Sequence, residues 1–275
     1  MPSINEFNLV KSPHYIIFVA RIQTMTTNKD REQIWRKAIE EYRERNGIVP
    51  SPKAFLFDMD GVLFDSMKNH TLAWYKTMSG LGIPCERNEF YLYEGCTGKG
   101  TINNFFRRTY SHDATDEEVQ QIYSIKSNHF NQMPKAEPMP GAKEVLEKVN
   151  GRGLKIVLVT GSGQRSLLER LNLAYPGIFT PQNMVTAFDV TNGKPDPEPY
   201  LRGLEKAAES KEHAIVIENA PMGCKSGRAA GIFTIAVNTG PIPAETLLES
   251  GADIVLNDMV DLSENIETIL KLMDQ

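Results

Sequence analysis

The sequence predicts an α/β protein: a doubly wound, Rossmann-like parallel sheet core with an inserted all-α cap domain and an N-terminal helical extension. Three observations carry this reading. Short apolar runs at Ala54 to Phe57, Ile156 to Val159, Ala214 to Ile217 and Ile232 to Val237 are bounded by turn residues, as buried parallel strands are. Helical stretches alternate with them and supply the crossovers. Between His70 and about Glu137 the periodicity is helical, with no good strand, so a helical unit is inserted just after the first strand. The 275 residues, 41% apolar and 24% charged, suffice for a large core and exclude a chain disordered throughout.

Taken in order, Lys29 to Arg45 carries six basic and five acidic side chains around a stripe of Trp35, Ala38, Ile39 and Tyr42. That pattern predicts an amphipathic helix docked on the protein's own core, with Asn28 as N-cap and Gly47 as stop. Residues 1–52 form this extension, and Met25 is an alternative start that would leave 1–24 outside the native protein. The apolar run Tyr15 to Ala20 is far short of the ~20 residues that cross a bilayer and lacks a cleavage site after it, so neither a membrane span nor a signal peptide is expected. Residues 53–69 and 138–275 are expected to make the α/β core and 70–137 the cap. The cap's helices are expected at Thr71 to Met78, Thr101 to Arg108 and Asp116 to Gln132. Those of the core are expected at Ala142 to Val149 and Ser166 to Leu173. Three cysteines, Cys85, Cys96 and Cys224, without metal or redox spacing, fit reduced thiols in a cytoplasmic protein. Thirty basic against 35 acidic residues, net −5, disfavour nucleic acid as a partner.

The chemistry concentrates at strand ends. In FLFDMDGVLFDS a buried strand ends in Asp58, Asp60 follows two residues later, and Gly61 permits a tight turn. Two carboxylates held together call for a cation or a proton. Thr160 after IVLV, Lys194 in NGKPDPEPY, and Glu218 with Asn219 after AIVI converge on the same sheet edge. Oxygen donors without histidine or cysteine suit magnesium, and a carboxylate nucleophile with a neighbouring acid suits phosphoryl transfer.

DMDGVLFDS, VTGSG, GKPDPEPY and VIENAPMGCKSGRAAG, in this order and spacing, resemble the four motifs of the haloacid dehalogenase superfamily, over Ala54 to about Asp258. The insertion and DGVLFDS are similar to its β-phosphoglucomutase-like subgroup. The resemblance implies Asp58 as nucleophile forming an aspartyl-phosphate, Asp60 as general acid and base, and Thr160 and Lys194 as phosphoryl holders. It also implies Asp58, Asp60, Glu218 and Asn219 as magnesium ligands, with Asn219 replacing the usual second acid and weakening the metal site. An acid at Asp60 favours phosphoryl transfer over halide expulsion, which needs no proton. Gly161, Ser162, His70, Glu94 and Lys126 are the expected substrate-binding residues. The mutase pattern is incomplete: Gly98 stands for its distal-phosphate arginine, Gly163 for a lysine, and Glu94 where lysine is usual, with Lys99 a possible replacement cation. The expected function is a magnesium-dependent phosphohydrolase for a small sugar phosphate or inorganic pyrophosphate. A phosphosugar mutase and a non-catalytic phosphate-binding protein are the alternatives.

Overall fold

The computed structural model describes residues 28–163 and 165–275, so the expectations for residues 1–27 lie outside the described residues. The first element, α1 (Asn28–Asn46), precedes β1 (Ala54–Phe57). The insertion follows with α2 (Met67–Gly80), a 3₁₀ turn (Arg87–Tyr93), α3 (Gly98–Tyr110) and α4 (Asp116–Asn131). The chain then alternates: α5 (Ala142–Gly151), β2 (Lys155–Val159), α6 (Arg165–Ala174), β3 (Met184–Val185), α7 (Glu198–Ala207), β4 (Ala214–Glu218), α8 (Pro221–Ala229) and β5 (Phe233–Val237). It closes with α9 (Ala244–Glu249), β6 (Ile254–Leu256) and α10 (Met259–Met273).

Among the described residues the six strands pair in parallel, in the order β3-β2-β1-β4-β5-β6. Strand order reverses about β1, so its carboxyl end and those of β2 and β4 open onto one crevice. The strands are largely apolar because both faces are covered, with Lys155 and Glu218 at strand ends and Thr234 the exception inside β5. Phe55, Phe57, Ile215, Ile217, Phe233 and Ile235 pack on one face with α1, α5 and α10. Ala54, Leu56, Val157, Val159 and Val216 pack on the other with Tyr200, Leu204 and Ala207 of α7.

The amphipathic α1 does dock on its own core: Trp35, Ala38, Ile39 and Tyr42 are buried in that first cluster. Tyr42 donates its hydroxyl to Gly231 O at 2.8 Å, while Arg31 and Arg45 pair with Asp261 and Asp253 at 2.6 and 2.8 Å. The helix already includes Asn28, the first described residue, so Asn28 is not its N-cap. Gly47 does end it, at φ 66° with its N–H on Arg43 O.

The insertion has a cluster of its own around Trp74, Phe90, Ile102, Phe105 and Ile122. The two segments joining it to the sheet run side by side: Asp65 N–H donates to Glu137 O and Met139 N–H to Leu63 O. Its first helix starts at Met67, ahead of residue 70. Two strands escaped the sequence reading, β3 with two residues and β6 with three, because runs that short carry no periodicity. Among the described residues no helix is long and apolar enough to cross a membrane.

Candidate active site

The sheet holds Asp58 before any side chain does, since its N–H still donates to Ile217 O at 3.0 Å. A tight turn then folds back over the strand end, with Gly61 N–H on Phe64 O at 2.8 Å. Gly61 has φ 84°, and a Cβ there would lie 2.0 Å from Asn219 Nδ2. Conformation and space therefore both demand glycine. Thr239, from the loop after β5, pins this turn by donating to Gly61 O at 2.6 Å.

Asp58 is 2% exposed, and its Oδ1 accepts from Lys194 Nζ at 2.6 Å. The same ammonium donates to Glu218 Oε1 at 2.6 Å and Val159 O at 3.0 Å. Its three protons are thus all engaged. Glu218, fully buried, also accepts from Tyr200 Oη at 2.7 Å and from the Asn219 and Ala220 N–H groups. Both its oxygens accept from protein donors, and the shared ammonium ties it to Asp58. Burial pushes the Asp58 carboxyl above its ordinary value, with Lys194 opposing and Glu218 and Asp60 adding to the rise.

Asp60 accepts from Ser66 Oγ at 2.5 Å, and its Oδ1 lies 3.2 Å from His70 Nε2. On the far side of the ring Lys126 Nζ donates to His70 Nδ1 at 2.8 Å, so the neutral imidazole carries its proton on Nε2, facing Asp60. Burial raises the Asp60 carboxyl, but His70, Ser66 and Lys126 more than offset it and hold it below its ordinary value. Burial drives the Lys126 ammonium down to about 7, against the pull of Asp60. Burial and Lys126 also lower His70.

Glu94 comes from the loop after the 3₁₀ turn, and its Oε1 accepts from Asn219 Nδ2 at 2.9 Å. Glu94 Oε2 and Asn219 Oδ1 are buried with no hydrogen-bond partner. Burial, then the neighbouring Asp58, raises Glu94 well above its ordinary value. Among the described residues no three His, Cys, Asp or Glu side chains form a ready metal cage. The two orphaned oxygens beside Asp58 nonetheless fit a hard cation that accepts amide and carbonyl ligands and keeps waters.

A cavity of about 50 Å³ is lined by Asp58, Asp60, His70, Glu94, Lys126, Thr160, Gly161 and Ser162 among others. Lys194, Glu218 and Asn219 sit behind Asp58 and Glu94 instead of on the cavity wall. The structure thus brings together the expected catalytic, metal-binding and substrate-binding residues, on this cavity's wall or just behind it. Lys99 stands apart, paired with Asp116 at 2.7 Å on the surface. Sequence reasoning missed Ser66 and Tyr200. Each lies six residues beyond a motif residue, after Asp60 and after Lys194, and a search for hydroxyl donors along those motifs could have found them.

A family model for haloacid dehalogenase-like hydrolases matches residues 55–237. The chain belongs to that family. Hexitol phosphatase A of Escherichia coli is 30% identical over 213 residues, 77% of this chain and 93% of that protein. The β-phosphoglucomutase of Bacillus subtilis is 26% identical, over 77% of this chain and 92% of that one. A solved Bacteroides vulgatus structure, provisionally assigned as a β-phosphoglucomutase, superposes with TM-score 0.84 at 50% identity, over 89% of this chain and all of that one. The hydrolase family and the parallel-sheet architecture expected from sequence are therefore both present.

Proposed function

We propose that this enzyme is a magnesium-dependent phosphohydrolase that acts on a small phosphorylated metabolite through an aspartyl-phosphate intermediate. The observation that carries the reading is the pairing of a lysine-clamped Asp58 with Asp60 on the wall of one small cavity. With Oδ1 held by Lys194, Asp58 presents Oδ2 to phosphorus, and the bond to the leaving oxygen breaks as the new P–O bond forms. Asp60, a carboxylate before substrate binds, takes up a proton from solvent with the substrate, delivers it to the leaving oxygen, and as the carboxylate then takes a proton from the water attacking the intermediate. His70 and Lys126 stand on the leaving-group side and offset its charge. Thr160 Oγ1 accepts from Ser162 N–H at 3.0 Å, which shapes the loop at Gly161 and Ser162 around the phosphoryl oxygens.

Asp58, the Asp60 carbonyl, Asn219 Oδ1 and Glu94 Oε2 would hold magnesium, which when bound withdraws charge from the phosphoryl oxygens. Glu218, the further expected ligand, also orients Asp58 through the Lys194 ammonium that both share.

The cavity favours the smallest substrates, inorganic pyrophosphate or a small sugar phosphate. At about 50 Å³ the enclosed part is small and leaves little room beyond the phosphoryl group. The ring of Tyr123 also lies on α3 so closely that a Cβ at Gly98 would sit 2.3 Å from it. A mutase needs a second phosphate site. Gly98 and Gly163 supply no cation and Lys99 is engaged elsewhere, which favours hydrolysis.

Pyrophosphate, sugar phosphates and nucleotides, assayed for released phosphate with magnesium and with chelator, test the reading. Magnesium-dependent release that Asp58→Asn abolishes is expected. Isomerised sugar phosphate without release, or no reaction, would overturn it.

A further inference from the structure

The loop of residues 94–97 rests on the core at two places where glycine leaves no spare room. A Cβ at Gly161 would lie 2.3 Å from Gly95 O, and one at Gly193 would lie 2.5 Å from Thr97 Cγ2 and 3.0 Å from Thr97 N. Neither glycine has φ in the left-handed region, so space rather than conformation requires it.

Thr97 connects this seat to the cavity. Its Oγ1 accepts from Gly100 N–H at 3.1 Å and caps α3, and the residues just before it, Gly95 and Cys96, line the cavity. Glu94, one residue further back, reaches Asn219. Whatever lifts Thr97 therefore lifts one wall of the site.

We propose that Gly193 is a specificity-determining residue: seated against Thr97, it sets the gap between the insertion and the core, and through that gap the size of leaving group the site accepts. This deepens the hydrolase reading and rests on it. A methyl group at 193 needs about 1 Å more clearance from Thr97 Cγ2 to reach ordinary contact. A displacement of that size across a reacting geometry costs up to ~100-fold. A large leaving group, already cramped, loses less from the wider gap than pyrophosphate does.

Serine at 97 keeps the capping oxygen and removes the Cγ2 that a side chain at 193 would strike. The experiment compares wild type, Gly193→Ala, Thr97→Ser and the double variant. It measures kcat and KM for phosphate release from pyrophosphate and from glucose 6-phosphate, together with thermal unfolding. Gly193→Ala should lower kcat/KM for pyrophosphate about tenfold or more and shift preference toward glucose 6-phosphate. The double variant should return to within about threefold of Thr97→Ser. Unchanged kinetics in Gly193→Ala overturn the inference, and so does a folded double variant as impaired as Gly193→Ala, since relief of the Cγ2 contact would then have restored nothing. If Gly193→Ala alone does not fold, the double variant still decides by the same comparison. Wild type that releases phosphate from neither compound overturns the hydrolase reading, and the inference with it.

Discussion

Lys126→Met should make the protein more stable and less active. The ammonium is 2% exposed, stands 5.0 to 5.7 Å from the ring centres of Phe130, Trp74 and Tyr123, and donates to His70. Burial lowers it from 10.5 to about 7. At 1.36 kcal/mol per unit, holding the charge in the folded state costs about 5 kcal/mol. A methionine of similar length removes that cost and forfeits one hydrogen bond and the ring contacts, leaving a net gain of about 3 kcal/mol, or ~6 to 12 °C in Tm. The sign follows from linkage: the folded value lies below the unfolded one, so the penalty is complete below about pH 7, fades as pH rises, and vanishes above about 10.5. Thermal unfolding of both proteins with metal chelated, at pH 6 and at pH 10, measures it. The variant should lead clearly at pH 6 and lose most of that lead at pH 10. A lower Tm at pH 6, or a difference independent of pH, would refute the reasoning. Phosphate release by the variant should fall about tenfold or more, because the leaving group loses a charge-assisted contact.

Asp60→Asn should retain the wild-type Tm within a few degrees and lose ~100-fold or more in kcat, read by phosphate release; full activity would remove Asp60 from the chemistry. Asn219→Asp restores a negative charge beside Glu94 and Asp58 and should tighten magnesium about tenfold in a calorimetric titration, a change absent if the amide is not a ligand. Tyr200→Phe takes one donor from the fully buried Glu218, so urea unfolding should show a loss of about 1.5 to 3 kcal/mol, and a loss under 0.5 kcal/mol would mean the phenol contributes nothing there.

The strands around the site were legible because a strand buried on both faces must be largely apolar and must stop at turn residues. Asp58, Thr160 and Glu218 stood out for the same reason, as polar residues at or just past the ends of apolar runs. β3 and β6 were not legible, being too short for a pattern, and the start of α2 was misplaced because Met67 and His70 are both buried and give no boundary signal. The N-cap of α1 was misassigned since Asn28 lies inside the helix, whereas Gly47 was read correctly because a left-handed residue leaves few alternatives to glycine.

By itself the sequence determined the four longer strands and their order, the family and the residues that meet at the sheet edge, because those follow from local apolar runs and from motif spacing. Only the tertiary structure decided how those residues divide their work. Glu218 lies within hydrogen-bond reach of Lys194, Tyr200 and two backbone amides, so its charge is spent inside the protein. Glu94 and Asn219, 125 residues apart, meet with one oxygen of each left unpaired. Which carboxylate is satisfied and which is left open depends on distances across the fold, and spacing along a chain carries no such distances.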